Sequence, residues 1–167
     1  KSSFITNILA VIRKIAAHKK SISILEIGST IGENFLFLKN SAEFEDLGCD
    51  VSFVGVEVSG SMVEFSRELH RDTANVHFVH AEASDLSRFP DQTFDICISH
   101  GVSNHTEQAI RGFKELLRIS RIATVSHMYV SGGDRSIGLT HAAAGYNMWI
   151  PTFDEIKRHA GAAAPML

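Results

Sequence analysis

The chain has 167 residues, which is enough for one domain with a substantial buried core. Hydrophobic residues make up 44% and charged residues 21%, a balance typical of globular proteins that argues against long disorder. The formal net charge of -3 gives the whole chain no attraction to a phosphate backbone, so nucleic acid is disfavoured as a partner.

The two cysteines do not form a recognisable pattern. Cys49 lies among polar residues and Cys97 lies inside the apolar run FDICIS. Neither their spacing nor that of the histidines indicates a disulfide framework or a metal site. We therefore expect reduced thiols, a cytoplasmic location and no metal.

The amino-terminal segment KSSFITNILAVIRKIAAHKK superficially resembles a signal peptide. However, Arg13 and Lys14 interrupt its apolar run, and its apolar residues recur at helical spacing. The segment therefore predicts an amphipathic helix, and no run approaches the roughly 20 apolar residues that span a bilayer. Because the chain begins with Lys1 rather than methionine, we expect a processed or trimmed piece of a longer protein.

Helical and strand-like patterns alternate along most of the chain. This alternation predicts an α/β fold with a doubly wound, mostly parallel sheet and helices on both faces. The predicted elements are a helix over 4–18, a strand over 22–27, a helix that fades near 39 or 40, a strand over 51–58, a helix over 62–70, strands over 76–81 and 94–99, a helix over 106–119, a strand over 121–128 and a helix over 151–159.

A glycine loop follows the first predicted strand, in the segment ILEIGSTIGENFLFL. Gly28 and Gly32 would let the backbone approach a ligand closely, although strand-to-helix turns also use glycine without binding anything. The dinucleotide-binding fingerprint fails because Thr30 and Glu33 stand where it needs glycine, and the lysine of a phosphate-binding loop is missing.

The second predicted strand ends in a carboxylate, Glu57. Such a group can accept hydrogen bonds from both hydroxyls of a ribose, although it could equally be a solvated strand end. Ligands of an open parallel sheet lie beyond the carboxyl ends of its strands, which brings Gly28–Gly32, Glu57, Ala81–Asp85 and Ser99–His105 together. The glycine loop and Glu57 together favour a ligand that contains adenosine.

Four segments in this order resemble the motifs of the class I S-adenosylmethionine-dependent methyltransferases. The resemblance runs from about Ser23 to Met128, with Thr30 in place of the middle glycine and Asp95 in the acidic position of the fourth motif. The segments are EIGSTIG at 26–32, GVEVSGSM at 55–62, FVHAEASDL at 78–86 and FDICISHGVSNH at 94–105.

The resemblance implies a single Rossmann-like methyltransferase domain that binds S-adenosylmethionine. It divides the chain into an N-terminal helix over about 1–20, a cofactor-binding core over 21–128 and an acceptor-side region over 129–167. It also implies that Glu26 is near the methionine moiety and that Val58 and Met62 are against the adenine ring. The full set of implied cofactor-binding residues is Glu26, Gly28, Ser29, Gly32, Glu57, Val58, Met62, Glu82, Ala83 and Ser99.

The carboxyl end departs from the family pattern. The family completes its sheet with a sixth and a seventh strand, and we find no convincing pair of strands after the helix at 151–159. Either these two strands are absent from the sequence, or a partner such as a second copy completes an abbreviated domain.

The predicted acceptor is a small molecule, because SHGVSNH lacks the Asn/Asp-Pro-Pro-aromatic signature of enzymes that methylate nucleic-acid bases. His100 and His105 follow the fourth predicted strand, beside the expected methyl group, and His127 ends the fifth; His105 and His127 are the candidate general bases. Tyr129 and Asp134 are near enough in sequence to join the acceptor pocket. Each of these side chains could instead be solvated or pack without a catalytic role.

Two other functions remain open from the sequence. A binding or regulatory module that keeps the fold without turnover is suggested by Thr30 and by the missing strands. A nicotinamide-dependent oxidoreductase is disfavoured by the failed dinucleotide fingerprint.

Overall fold

A parallel five-stranded sheet forms the centre of the computed structural model, which describes residues 3–105, 109–141 and 146–161. The elements are α1 (Ser3–Ala16), β1 (Ser21–Ile27), α2 (Glu33–Lys39), α3 (Ala42–Glu45), β2 (Asp50–Glu57), α4 (Gly60–Leu69), β3 (Val76–His80), β4 (Phe94–His100), a 3₁₀ turn (Ser103–His105), α5 (Ala109–Ile119), β5 (Ser120–His127), β6 (Ile137–His141), β7 (Tyr146–Ile150) and α6 (Phe153–Ala160).

The strand order of the sheet is β3-β2-β1-β4-β5, with every neighbouring pair parallel. The central strand β1 places Ile24 opposite Phe53 of β2 and Ile96 of β4. The order reverses between β1 and β4, and the crevice at such a switch point is where open α/β sheets bind ligands. The predicted fold class is therefore confirmed.

Alternating side chains of β1 fill two separate cores. Ile24 packs with Ile8 of α1 on one face, whereas Leu25 packs with Leu116 of α5 on the other. Because successive strand residues point to opposite faces, a strand covered on both sides needs the unbroken apolar run that the sequence shows.

The region after Tyr129 contains structure that the sequence pattern did not reveal. β6 and β7 form an antiparallel hairpin, and they pair with each other rather than extending the five-stranded sheet. α6 follows with Thr152 as its N-cap, because the Thr152 hydroxyl accepts a hydrogen bond from the Glu155 amide. The predicted start of the helix at 106 lies outside the described residues, and α5 is described from Ala109.

None of the helices in the described part of the chain is long and apolar enough to cross a membrane.

Asp95 lies at the amino end of β4, opposite to the ends where the ligand crevice opens. Its side chain is buried, and it accepts hydrogen bonds from Lys19 Nζ at 2.6 Å, Arg121 Nη1 at 2.9 Å and the Ser23 amide at 3.0 Å. Burial alone would raise the pKa of Asp95, but these hydrogen bonds and positive charges lower it. The acidic residue of the fourth motif therefore holds β1, the turn before it and β5 together in this chain.

Replacing Asp95 with Ala should lower the free energy of unfolding by about 2–3 kcal/mol, because the Ser23 amide would lose its acceptor and the partly exposed charges of Lys19 and Arg121 would lose their partner. Urea unfolding at pH 7 measures this loss. The matched control is Asp72→Ala, which removes an exposed carboxylate beside Arg71 and should have little effect. Equal effects of the two substitutions would contradict the role assigned to Asp95.

Candidate functional site

The loop between β1 and α2 turns through three residues with left-handed backbone angles. The φ angles are 62° at Gly28, 46° at Thr30 and 80° at Gly32. A Cβ atom on Gly28 would lie 2.1 Å from the side chain of Val102, and one on Gly32 would lie 3.0 Å from Phe78. The backbone conformation therefore favours glycine at both positions, and a side chain at Gly28 would also clash with Val102, whereas one at Gly32 would press against Phe78.

Thr30 adopts a conformation that is costly for a β-branched residue. Its amide donates a hydrogen bond to Glu57 Oε2 at 3.2 Å, and its carbonyl accepts one from the Ser66 hydroxyl at 2.9 Å. These contacts with β2 and α4 hold the loop in place despite the strain.

Glu26 is buried at the end of β1, and only one of its two carboxylate oxygens has a partner. Asn34 donates its side-chain N–H to Oε1, whereas Oε2 has no hydrogen-bond partner among the described residues. The Ser29 hydroxyl is also buried without a partner there. Burial, reinforced by the charge of Glu33 and opposed by the Asn34 hydrogen bond, raises the pKa of Glu26 to about 7.

The Glu57 carboxylate at the end of β2 binds three backbone amides. Oε1 accepts from Val58 and Ser59 at 2.9 and 3.2 Å, and Oε2 accepts from Thr30. Because a carboxylate offers about four acceptor positions, one ribose hydroxyl could bind without displacing an amide. Two hydroxyls would have to compete with these backbone groups.

The other residues predicted near the adenosine end lie on the β2 and β3 side of the sheet. Val58 and Glu82 are exposed, Met62 is half-buried in α4, and Ala83 is buried in the core on the α5 face. At the end of β4, the buried hydroxyls of Ser99 and Ser103 are hydrogen-bonded to each other at 2.7 Å.

A cavity of about 650 Å³ opens beside the glycine loop, on the side of α1. It includes two of the predicted cofactor-binding residues, Gly28 and Ser29, but not Glu57, Val58, Met62 or Glu82. The residues that line it are Ile5, Leu9, Gly28, Ser29, Thr30, Glu33, Asn34, Phe37, Asn40, Ser41 and His100.

His100 is the histidine that lines this cavity. Its ring stacks on Phe4 with 4.1 Å between ring centroids, and it lies 5.2 Å from the ring of His127. Partial burial and the neighbouring His127 lower the pKa of His100. His100 is itself exposed, as are the predicted bases His105 and His127, but neither of these two lines the cavity.

The residues first named as acceptor-pocket candidates also lie outside the cavity lining. Tyr129 is exposed, and its backbone exchanges two hydrogen bonds with the Asn104 side chain, at 2.7 and 3.0 Å. Asp134 is exposed in the following loop. These predictions remain predictions, because the geometry joins neither residue to the glycine loop.

Residues 25–122 match the family model described as a methyltransferase domain. The chain belongs to the class I S-adenosylmethionine-dependent methyltransferases. An uncharacterized methyltransferase of Mycolicibacterium vanbaalenii is 33% identical over 57% of this chain and 38% of its own length. Another, from Mycolicibacterium gilvum, is 30% identical over 76% of this chain and 48% of its own length.

The solved structure of the PH0226 protein from Pyrococcus horikoshii shares the methyltransferase fold. It superposes with a TM-score of 0.59 and 22% identity, over 96% of this chain and 81% of that one. The chain thus spans less than half the length of the two curated relatives but most of this solved structure.

The strain at Thr30 predicts a stabilising substitution. Thr30→Asn should raise the free energy of unfolding by about 1 kcal/mol, because asparagine tolerates the left-handed region better than a β-branched residue. The reverse change at another left-handed position, Asn75→Thr, should lower it by a similar amount. Urea unfolding of both variants checks the pair, and a less stable Thr30→Asn protein would contradict the assignment of strain.

The raised pKa of Glu26 predicts a pH-dependent loss of stability. Glu26 binds its proton more tightly in the folded state than in the unfolded state, so its contribution to stability falls as pH rises from about 4.5 to 7. Glu26→Gln should remove this loss and make the ligand-free protein roughly 3 kcal/mol more stable than the native one at pH 8, with little difference at pH 4.

Urea unfolding at the two pH values measures this difference. Glu64→Gln in α4 changes an exposed carboxylate in the same way and should leave both values unchanged. A Glu26→Gln protein that is equally stable or less stable at pH 8 would show that the native protein already balances the buried charge of Glu26 without a ligand.

Proposed function

We propose that this chain uses S-adenosylmethionine to methylate a small-molecule acceptor by in-line transfer. The observation that carries the proposal is the buried Glu26 Oε2, which has no partner among the described residues and belongs to the strand that leads into the glycine loop. A buried carboxylate with an oxygen that lacks a partner is costly, and an ammonium group is a partner that would relieve that cost. The methionine end of the donor carries such a group.

The residues present fit this donor along its length. Glu26 and Ser29 would bind the methionine end, because both have a buried oxygen that lacks a partner in the described chain. Glu57 would accept a ribose hydroxyl through its remaining acceptor position. By the family resemblance, Val58 and Met62 would pack against adenine, with Glu82, Ala83 and Ser99 completing the site.

The bound donor would supply an electrophilic methyl group, and this chain would supply alignment. Gly28 and Gly32 let the backbone curve around the ligand, and the Thr30–Glu57 hydrogen bond fixes the loop against β2. Holding two reactants in line can supply about 7–11 kcal/mol of the barrier.

The acceptor side favours a small molecule. The cavity beside the loop is within the size range of small-ligand sites, and its lining contains no lysine or arginine in the described part of the chain. A phosphate backbone would have no cationic partner there.

The proposal predicts proton release when the donor binds. At pH 6, Glu26 is mostly protonated in the free protein, and a neighbouring ammonium group would favour its carboxylate form. Calorimetry with S-adenosylmethionine and with S-adenosylhomocysteine should therefore give enthalpies that depend on the ionisation enthalpy of the buffer. At pH 8.5 this contribution should disappear.

Glu26→Gln is the informative variant, because it should bind both nucleosides more weakly and lose the dependence on buffer. Glu64→Gln should behave as the native protein does. If neither nucleoside binds to the native protein, the proposed function is wrong. Binding without proton release would leave the function standing and remove Glu26 from the methionine end.

A further inference from the structure

The lining of the cavity combines apolar and polar side chains. Ile5 and Leu9 of α1 and Phe37 of α2 are its large apolar members, and the Phe37 ring is 67% exposed. Among the described lining residues, Glu33 carries the only formal charge at neutral pH. An anionic acceptor would meet this carboxylate with no cation to balance it, whereas a neutral molecule with an apolar body fits this lining.

His100 is the one side chain in that lining that can exchange a proton near neutral pH with a neutral acceptor. The end of β4 fixes its backbone, the Phe4 ring stacks on one face at 17° between planes, and His127 meets it edge to face. A ring held from two sides loses little entropy when it aligns with a reacting group.

We propose that His100 is the general base of this site and that the acceptor is a neutral hydroxyl compound with an apolar body, such as a phenol. This inference rests on the proposed function, since it takes the methyl donor to be bound at the glycine loop. It differs from the sequence prediction, which named His105 and His127. His127 is instead a positioning residue, because it contacts His100 and not the cavity.

The environment of the His100 imidazole suits the role of a general base. Partial burial and His127, which faces it from β5, lower the pKa of His100, and this favours the neutral ring. Glu33 of α2 lines the same cavity and would favour the imidazolium after proton transfer. A neutral imidazole accepts a proton from the hydroxyl, which an imidazolium cannot do.

Methyl transfer to the hydroxyl takes place in a single displacement. The acceptor oxygen bonds to the methyl carbon as the sulfur–methyl bond breaks, and the electron pair of that bond stays on sulfur. The hydroxyl proton passes to a ring nitrogen of His100 and then to solvent, so no oxidant or metal is required.

Two phenols that differ in acidity test the proposal. Phenol is neutral at pH 7.5 and needs a base, whereas 4-nitrophenol is largely ionised and does not. With S-adenosylmethionine and the 167-residue protein, His100→Gln should slow the methylation of phenol by about 10²–10⁴-fold. At saturating acceptor, where the weaker binding expected of an anion does not enter, it should slow the methylation of 4-nitrophenol far less, because the ionised hydroxyl has no proton to lose. A change that only damaged the pocket would slow both.

His77→Gln is the matched control, because His77 is an exposed histidine of β3 and has no role in the site. Equal slowing of both phenols by His100→Gln would overturn the role as base. So would a native protein that binds S-adenosylhomocysteine and methylates neither phenol.

A second readout does not depend on turnover. In protein saturated with S-adenosylhomocysteine, phenol should shift the imidazole proton–carbon NMR signals of His100, which are assigned by their loss in His100→Gln. Benzoate at the same concentration should leave them in place. Unmoved signals with phenol would overturn the proposal even if S-adenosylhomocysteine binds, whereas failure of that nucleoside to bind would overturn the proposed function itself.

Discussion

The close approach of the glycine loop to its neighbours is the constraint on which the site depends. Gly28 leaves no room for a Cβ beside Val102 of the segment after β4, and Thr30 is tied to the carboxylate at the end of β2. The ends of β1, β2 and β4 are therefore fixed relative to one another at the point where the strand order reverses. Every proposed contact with a methyl donor uses this arrangement.

Much of the fold could be predicted from the sequence because the core pattern is local. A strand such as Ile22–Ile27 that is apolar at successive positions can be satisfied only when helices cover both faces, and Ile24 and Leu25 do pack into different cores. The pairing of β6 with β7 could not be predicted in this way, because HAAAGYNMW mixes helix-forming alanines with a glycine and strand-forming aromatic residues and has no clear period.

The candidate site, too, could be predicted from the sequence only in part. The turn favours glycine at positions 28 and 32, so the pair of glycines after the strand can be recognised in the sequence. The roles of Asn34 and His100 become visible only in the fold. Asn34 binds the buried Glu26 carboxylate, and His100, although it follows a predicted strand, is held by a ring from the distant Phe4. Asp95 shows the converse. It occupies the acidic position of the fourth motif, yet its carboxylate pairs with Lys19 and Arg121 at the end of the sheet opposite the candidate site.

Glu26 connects the stability of the protein with the function proposed for it. A carboxylate that is buried with one partner destabilises the ligand-free protein above its pKa, and a hydrophobic residue there would remove that cost. The strained Thr30 in the same loop adds to the cost. Sites that break local rules in this way are typical of functional positions, because a ligand that supplies the missing partner converts the cost into binding selectivity. Since an ammonium group relieves the buried carboxylate and a neutral group does not, Glu26 would favour an amino-acid nucleoside over adenosine alone.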